Sequence, residues 1–186
     1  RLKLKKLIST SFAPDSKNLK INYQPTLFEK ENPKFDEKKT IINGKIFTLD
    51  HDTSGDGKID VNDLEWSYLK GDGDFRSDEI KKLRDESDVI ITNPPFSLFR
   101  EFLAWIVEAD KKFVIIGNMN GITYKEVFPL IQDNKMWTGS RFNKRLNGKN
   151  MTFTVPDDYT LSGTEVEMSS DGKKMISVAG TGWFTN

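Results

Sequence analysis

The fold is decided by residues 88–116, which read DVIITNPPFSLFREFLAWIVEADKKFVII. Within this stretch, the continuous apolar run in Asp88–Thr92 predicts a buried strand, and Lys112–Ile116 predicts a second one. Between them, apolar residues recur at helical spacing after Ser97 and predict a helix with one apolar face. A strand, a helix and a second strand in this order predict a parallel, helix-covered α/β sheet.

Two further helices are predicted on either side of this unit. Ser77 is expected to cap a helix over Asp78–Glu86, whose first turn is acidic. Thr123-x-x-Glu126 matches a capping box and predicts a third helix, which Pro129 should shorten or kink.

The ends of the chain predict strands. Leu4–Ser9 predicts a short strand, and Ile41–Leu49 predicts a strand or a hairpin that turns at Asn43-Gly44. Trp66–Lys70 fits either a strand or the end of a helix, because periodicity does not separate the two in so short a run. After Met136 the pattern changes to short strands separated by Gly and Asn turns.

Composition narrows the class of protein. The 186 residues are enough to bury a sizeable core, and 28 Lys and Arg balance 28 Asp and Glu. The apolar runs are too short to span a membrane, so we expect no membrane partner. Cys is absent, which excludes disulfides and fits a reducing compartment, and we expect a cytoplasmic location. Because the chain starts at Arg1 rather than at a methionine, we interpret it as a piece of a longer protein.

The tetrad Asn93-Pro94-Pro95-Phe96 lies directly after the first strand of the unit and before its helix. One interpretation is a proline-rich turn in which Ser97 caps the helix. The position favours a functional interpretation, because ligands in open parallel sheets bind beyond the carboxyl ends of the strands. Two adjacent prolines between an Asn and an aromatic residue are also uncommon by chance.

These residue types suit the activation of an amine whose lone pair is delocalised into a ring. The side-chain oxygen of Asn93 and the carbonyl oxygen of Pro94 can each accept one N–H of such an amine. Two acceptors favour a more tetrahedral nitrogen and aim its lone pair at an electrophile, without a proton-abstracting base. The ring of Phe96 can stack on an extruded base. We therefore predict that the catalytic residues are Asn93, Pro94, Pro95 and Phe96.

Five stretches of the chain together match a known family: residues 71–77, 89–101, 110–113, 122–126 and 183–186. They resemble the EcoRI-type adenine-specific DNA methyltransferases. The resemblance implies methyl transfer from S-adenosylmethionine to the exocyclic N6 amine of adenine in double-stranded DNA, with a cognate restriction endonuclease as a further partner. It also implies a Rossmann-like sheet with helices on both faces, incomplete at its amino-terminal end.

The resemblance also suggests how the chain is divided. We expect a methyltransferase core over residues 1–140, interrupted by an insertion over residues 12–65 that contains an acidic loop. Residues 141–186 would form a β-rich segment that could face DNA.

By the same resemblance, Asp74 and Phe75 match an acidic and apolar pair that holds the adenine of the cofactor. Asp74 would accept a hydrogen bond from the amino group, and Phe75 would pack on the ring. The alternative is an Asp at a helix entry beside a core Phe. The chain departs from the family in having no Gly-rich loop before Leu4–Ser9 and in offering Ser9–Ser11 where many methyltransferases bind the ribose with an acidic residue. We expect the missing loop to precede Arg1, so that this fragment alone binds the cofactor poorly or not at all and the full-length protein binds it.

Residues 52–63 match the calcium loop of an EF-hand. Gly57 allows the sharp turn of such a loop, although Asp63 stands where EF-hands use Glu. The pattern predicts a structural calcium ion, and the alternative is an acidic, solvated turn. The predicted ligands are Asp52, Ser54, Asp56, the Lys58 carbonyl, Asp60 and Asp63.

A basic cluster follows the predicted core. Its four cations lie within nine residues that contain no acid. Such a run is often a solvated face, but after a methyltransferase-like core it could contact DNA phosphates. The cluster comprises Arg141, Lys144, Arg145 and Lys149.

Two other functions remain open at this point. A methyltransferase acting on RNA or on a protein glutamine amide can carry a similar tetrad, because the amide nitrogen has the same delocalised lone pair. A protein of a different class, a calcium-dependent interaction module, would use residues 52–63 as its functional site.

Overall fold

The protein is described by a computed structural model, which covers residues 4–13, 30, 32–139, 152–158, 166–177 and 180–186. It divides into two units, Arg1–Leu83 and Arg84–Asn186. The α-helices are α1 (Glu37–Ile42), α2 (Asp78–Glu86), α3 (Phe99–Glu108) and α4 (Phe128–Gln132). The strands are β1 (Leu7–Ser11), β2 (Lys45–Leu49), β3 (Glu65–Tyr68), β4 (Val89–Thr92), β5 (Lys112–Asn118), β6 (Trp137–Thr138), β7 (Thr152–Thr154), β8 (Val166–Met168), β9 (Lys174–Ser177) and β10 (Thr181–Thr185).

The first unit contains a three-stranded antiparallel sheet in the order β1-β2-β3. Helix α1 is tied to β3 through Tyr68, whose hydroxyl lies 2.6 Å from the Thr40 hydroxyl and accepts the Asp36 N–H at 3.0 Å. Gly73 has a φ of +88°, and a Cβ there would lie 2.6 Å from the Ser11 carbonyl oxygen. Only glycine fits that position without strain, because the backbone after β3 passes directly over the end of β1.

The second unit contains a four-stranded sheet in the order β4-β5-β10-β6. Strands β4 and β5 are parallel, with Thr92 opposite Ile115, and α3 connects them. The predicted strand–helix–strand unit is therefore confirmed, in a mixed α/β fold. Helix α3 covers one face of the sheet, where Phe99 contacts Phe184 of β10 at a ring distance of 5.2 Å. The buried residues of this core are Phe99, Phe102, Leu103, Ile106, Phe113, Ile115 and Phe184.

The opposite face of the same sheet is apolar and exposed. The register places Val89 and Ile91 on one face with Trp183 and Trp137. Their exposed fractions are 52% and 72% for Val89 and Ile91, and 45% and 46% for Trp183 and Trp137. The prediction that Asp88–Thr92 is buried is therefore wrong for this face, because β4 lies at the edge of the sheet and α3 covers the other side.

Helix α2 matches the predicted bounds, and its cap is the predicted one. The Ile80 N–H donates to the Ser77 hydroxyl at 3.3 Å, and the Lys81 N–H donates to the Ser77 carbonyl at 2.9 Å. The described residues after Met136 form short strands as predicted, and β7, β9 and β8 make a separate antiparallel sheet.

Three local predictions differ from the structure. Strand β1 begins at Leu7 and pairs with β2 in the antiparallel sheet, not with the parallel pair. Of the two forms predicted for Ile41–Leu49, the strand is confirmed as β2 and the hairpin is wrong, because α1 ends before Asn43-Gly44 and the Asn43 side chain donates to the carbonyls of Leu69 and Lys70. The third helix is short, as Pro129 predicted, but it begins at Phe128 without a Thr123 cap, because Pro129 fits only its first turn and Thr123 ends a 3-10 helix.

Among the described residues, no helix is both long and apolar enough to cross a membrane.

Candidate active site

The tetrad lies at the carboxyl end of β4, where the chain leaves the sheet. Pro95 precedes a short 3-10 helix over Phe96–Leu98, and the Leu98 N–H donates to the Pro95 carbonyl at 2.9 Å. Pro94 is buried, whereas Asn93 is exposed and Phe96 is 45% exposed. An amide and an aromatic ring are thus presented to solvent by a rigid turn. This arrangement can receive a planar ligand.

The loop after β5 lies at the same edge of the sheet, because β4 and β5 are parallel neighbours. Asn118 ends β5, and its side-chain oxygen accepts the Asn120 N–H at 2.9 Å. The Met119 N–H donates to the Gly180 carbonyl, which ties the loop to the start of β10. The Asn120 side chain is exposed.

Asp74 and Phe75 lie together in the first unit, after β3 and before α2. The carboxylate of Asp74 is held by Arg76, whose Nε and Nη2 donate to Oδ1 at 2.9 Å and to Oδ2 at 2.6 Å. The guanidinium of Arg76 also lies 5.4 Å from the centre of the Phe75 ring. Hydrogen bonds from Arg76 hold the pKa of Asp74 below its ordinary value. Asp74 is therefore an ionised acceptor at neutral pH. Its Oδ1 also accepts the Arg76 N–H at 2.8 Å, so Oδ2 is the oxygen that retains a lone pair for a further donor.

Arg76 was not among the predicted site residues. An ion pair between residues two apart is not signalled by spacing in a loop, so only the structure reveals it.

The predicted calcium site is not supported by the structure. Both oxygens of Asp52 accept backbone N–H groups, from Gly55 at 2.6 Å and Gly57 at 2.7 Å. Asp63 is 2% exposed and accepts the N–H groups of Thr53, Ser54 and Asp60, each at 2.9 Å.

Asp60 and Asp63 form a capping box around the short 3-10 helix Val61–Asp63. Within the described part of the chain, no group of three or more His, Cys, Asp or Glu side chains could hold a metal ion. The carboxylates at the two ends of the predicted ligand set, Asp52 and Asp63, thus serve to close the loop through its own backbone.

Because ionised Asp63 closes the loop, the stability of the loop depends on pH. Hydrogen bonds from the N–H groups of Asp60, Ser54 and Thr53 hold the pKa of Asp63 well below its ordinary 3.8. Because the folded-state pKa is lowered, the stabilisation is complete above 3.8 and is lost as the pH falls further.

We expect Asp63→Asn to loosen the loop at neutral pH. An amide offers one acceptor oxygen instead of two, so the N–H groups of residues 53, 54 and 60 cannot all be satisfied. Hydrogen exchange of these amides should become faster in the full-length protein, with calcium or with chelator alike. The matched control is Asp56→Asn, an exposed residue that accepts one N–H, from Lys58. Slower exchange on adding calcium to the parent protein would restore the metal-site interpretation.

The predicted DNA contacts lie outside the described residues. Arg141, Lys144, Arg145 and Lys149 all belong to the segment between β6 and β7 for which no structure is described. Their role stays a prediction.

Comparison with known proteins identifies the family. The family model described as "Adenine-specific methyltransferase EcoRI" matches residues 1–186. The chain is 48% identical to the Type II methyltransferase M.EcoRI of Escherichia coli over 129 residues. These residues make up 69% of this chain and 38% of that protein. The chain is 36% identical to the Type II methyltransferase M.MgeORF184P of Mycoplasma genitalium over 130 residues. These residues make up 69% of this chain and 39% of that protein.

A third relative agrees with the first two. The Type II methyltransferase M.MpnI of Mycoplasma pneumoniae is 33% identical over 130 residues, again 69% of this chain and 39% of that protein. The matched part thus spans about two fifths of the length of these curated relatives. No solved structure matches the chain. The match along the whole sequence shows that this chain belongs to the EcoRI family of adenine-specific methyltransferases.

Proposed function

We propose that the full-length protein transfers a methyl group from S-adenosylmethionine to the N6 amine of adenine in double-stranded DNA. The observation that carries this proposal is the exposed Asn93 and Phe96 on a proline-fixed turn at the carboxyl end of β4. Family membership supports it, as do the relatives that are named Type II methyltransferases.

In this proposal the tetrad prepares the target amine. The Asn93 amide oxygen and the Pro94 carbonyl each accept one N–H of adenine, which localises the nitrogen lone pair. Phe96 stacks on the extruded base and holds it in place. Pro95 fixes the backbone, so that both acceptors are oriented before the substrate arrives.

Asp74 and Phe75 are the residues that would hold the cofactor, which supplies an electrophilic methyl group when bound. Their chemistry fits the adenine end of S-adenosylmethionine, because an ionised carboxylate accepts from an amino group and an apolar ring packs on a base. Arg76 keeps Asp74 ionised and fixes its orientation through two hydrogen bonds.

We propose double-stranded DNA as the macromolecular partner, with Arg141, Lys144, Arg145 and Lys149 on its phosphates. A modification methylase of Type II would act beside a restriction endonuclease of the same specificity, in the cytoplasm where the DNA is. The relatives are named Type II methyltransferases, which supports the interpretation as a modification methylase of Type II.

A methyltransferase acting on RNA or on protein glutamine is the alternative that the tetrad alone permits. Incubation of the full-length protein with labelled S-adenosylmethionine and equal amounts of DNA, RNA and protein distinguishes them. We expect label in DNA. Label in RNA or in protein, with none in DNA, would replace the proposed function by the alternative.

We also propose that the sheet of the second unit is Rossmann-like, with its exposed face covered by helices from the rest of the full-length protein. Parallel sheets are covered on both faces in α/β proteins, and four large apolar residues on this face are about half exposed or more. The matched relatives are more than twice as long as the part that matches.

The substitution Ile91→Cys tests whether this face of the sheet is covered in the full-length protein. Val61→Cys is the control at an exposed position. The parent sequence has no Cys in these residues. We expect slow thiol labelling at residue 91 and fast labelling at residue 61. Equal rates would contradict the covered face.

A further inference from the structure

The ring of Phe99, at the start of α3, packs against β5 at Gly117 and against Phe184 of β10. Phe99 is the first residue of α3, three residues after Phe96, and it is 2% exposed. A Cβ built on Gly117 of β5 would lie 2.4 Å from Phe99 Cε2 and 2.9 Å from Cζ. A Cβ on Gly121 would lie 3.3 Å from Phe99 Cε1. The Phe99 ring, together with Phe184 Cε2 at 2.8 Å, therefore occupies the space that a side chain at residue 117 would need, and it leaves only a tight fit for a side chain at residue 121.

The loop after β5, Asn118–Thr123, contains Gly121 and a short 3-10 helix over Met119–Thr123, and three contacts involve this loop or its neighbour Gly117. Phe99 packs on both glycines, the Met119 N–H donates to the Gly180 carbonyl, and the Thr123 hydroxyl donates to the Asn120 carbonyl at 2.8 Å. Its side chains at residues 119 and 120 are exposed, at the edge where the tetrad also leaves the sheet.

We propose that Phe99 is a positioning residue that sets the distance between the tetrad and the loop Asn118–Thr123, so that the loop forms a second wall of the adenine site. The ring contacts Gly117 and Gly121 directly, and its backbone is joined to Phe96 by one turn of 3-10 helix. A displacement of the Phe99 ring thereby moves both sides of the adenine site, the tetrad and the loop Asn118–Thr123. The inference rests on the proposed function, since it concerns the same target base.

The test is a size exchange in the full-length protein. Gly117→Ala adds a methyl group where Phe99 lies, and Phe99→Leu removes part of the ring. Each single change should lower kcat by about tenfold or more, because a small misplacement of reacting groups is costly. The double variant should recover part of kcat, since Leu at residue 99 relieves one contact of the Ala methyl, whereas Phe184 Cε2, 2.8 Å from a Cβ at residue 117, still has to shift. The assay measures label transferred to DNA, with kcat and the KM for DNA taken separately.

Phe102→Leu is the matched control. Phe102 lies in the same helix, is 9% exposed and contacts Trp105 at a ring distance of 5.1 Å. It should lower the melting temperature as Phe99→Leu does, yet leave kcat close to the parental value. Equal kcat losses in both Phe variants, or no loss in either, would overturn the proposal and make Phe99 an ordinary core residue.

Two further outcomes are separated by the design. If Gly117→Ala does not fold, the comparison of Phe99→Leu with Phe102→Leu decides the question by itself. Asn93→Ala is assayed in parallel: a parental rate in that variant refutes the proposed function, whereas its inactivity combined with a parental kcat in Phe99→Leu refutes only the positioning role.

Discussion

Replacing Asn93 with alanine in the full-length protein should lower the turnover of adenine methylation by about a hundredfold or more, or roughly 3–4 kcal/mol. The Asn93 oxygen interacts most strongly with the amine as it becomes tetrahedral, so the loss should fall on kcat and not on the KM for DNA. Because Asn93 is exposed at the end of β4, the change should leave the melting temperature almost unaltered.

Two companion variants show that the effect is specific. Asn62→Ala makes the same change at another exposed position and should retain the parental rate. Asp74→Ala should instead raise the KM for S-adenosylmethionine, because it removes an acceptor for the cofactor and not for the target base. A parental kcat in Asn93→Ala would exclude the tetrad as the catalytic site.

Removing all four cations of the basic cluster should weaken DNA binding and make it much less sensitive to salt. Each cation that no longer neutralises a phosphate lowers the slope of log K against log salt by about 0.9, so the fourfold alanine variant should have a slope smaller by about 3.6 if every side chain binds a phosphate. The measurement is a titration of the full-length protein with duplex DNA at several salt concentrations. The cluster comprises Arg141, Lys144, Arg145 and Lys149.

The control removes the same number of charges from α1 and α2. It replaces four exposed lysines that have no predicted role in DNA binding, so its salt slope should stay near the parental value. Equal slopes in the two fourfold variants would show that the basic cluster is a solvated face. The control residues are Lys38, Lys39, Lys81 and Lys82.

The parts of the fold that could be predicted are those specified by local pattern. Helix α2 begins after Ser77 as expected, since a capping hydroxyl and an acidic first turn act within a few residues. The parallel pair of β4 and β5 follows from a crossover helix between two apolar runs. Strand β1 could not be assigned to its sheet, because its pairing with β2 depends on contacts between residues far apart in the chain.

The acidic loop shows where pattern fails. Carboxylates at alternating positions suit a calcium ion, but they suit backbone N–H groups equally well, and the sequence does not indicate which way each one turns. In the structure Asp52 and Asp63 turn toward the backbone. The backbone turn at the tetrad was easier to predict than the acidic loop, since two prolines restrict the backbone whatever surrounds it.

If the tetrad Asn93-Pro94-Pro95-Phe96 prepares the N6 amine of adenine for methylation, the reaction product identifies the site. Nucleoside analysis by mass spectrometry of unmethylated duplex DNA, treated with the full-length protein and S-adenosylmethionine, measures this product. We expect N6-methyladenine with the parent protein and a large loss of it with Asn93→Ala. Methylcytosine in place of methyladenine, or an equal yield of methyladenine from both proteins, would exclude the tetrad as the site of adenine methylation.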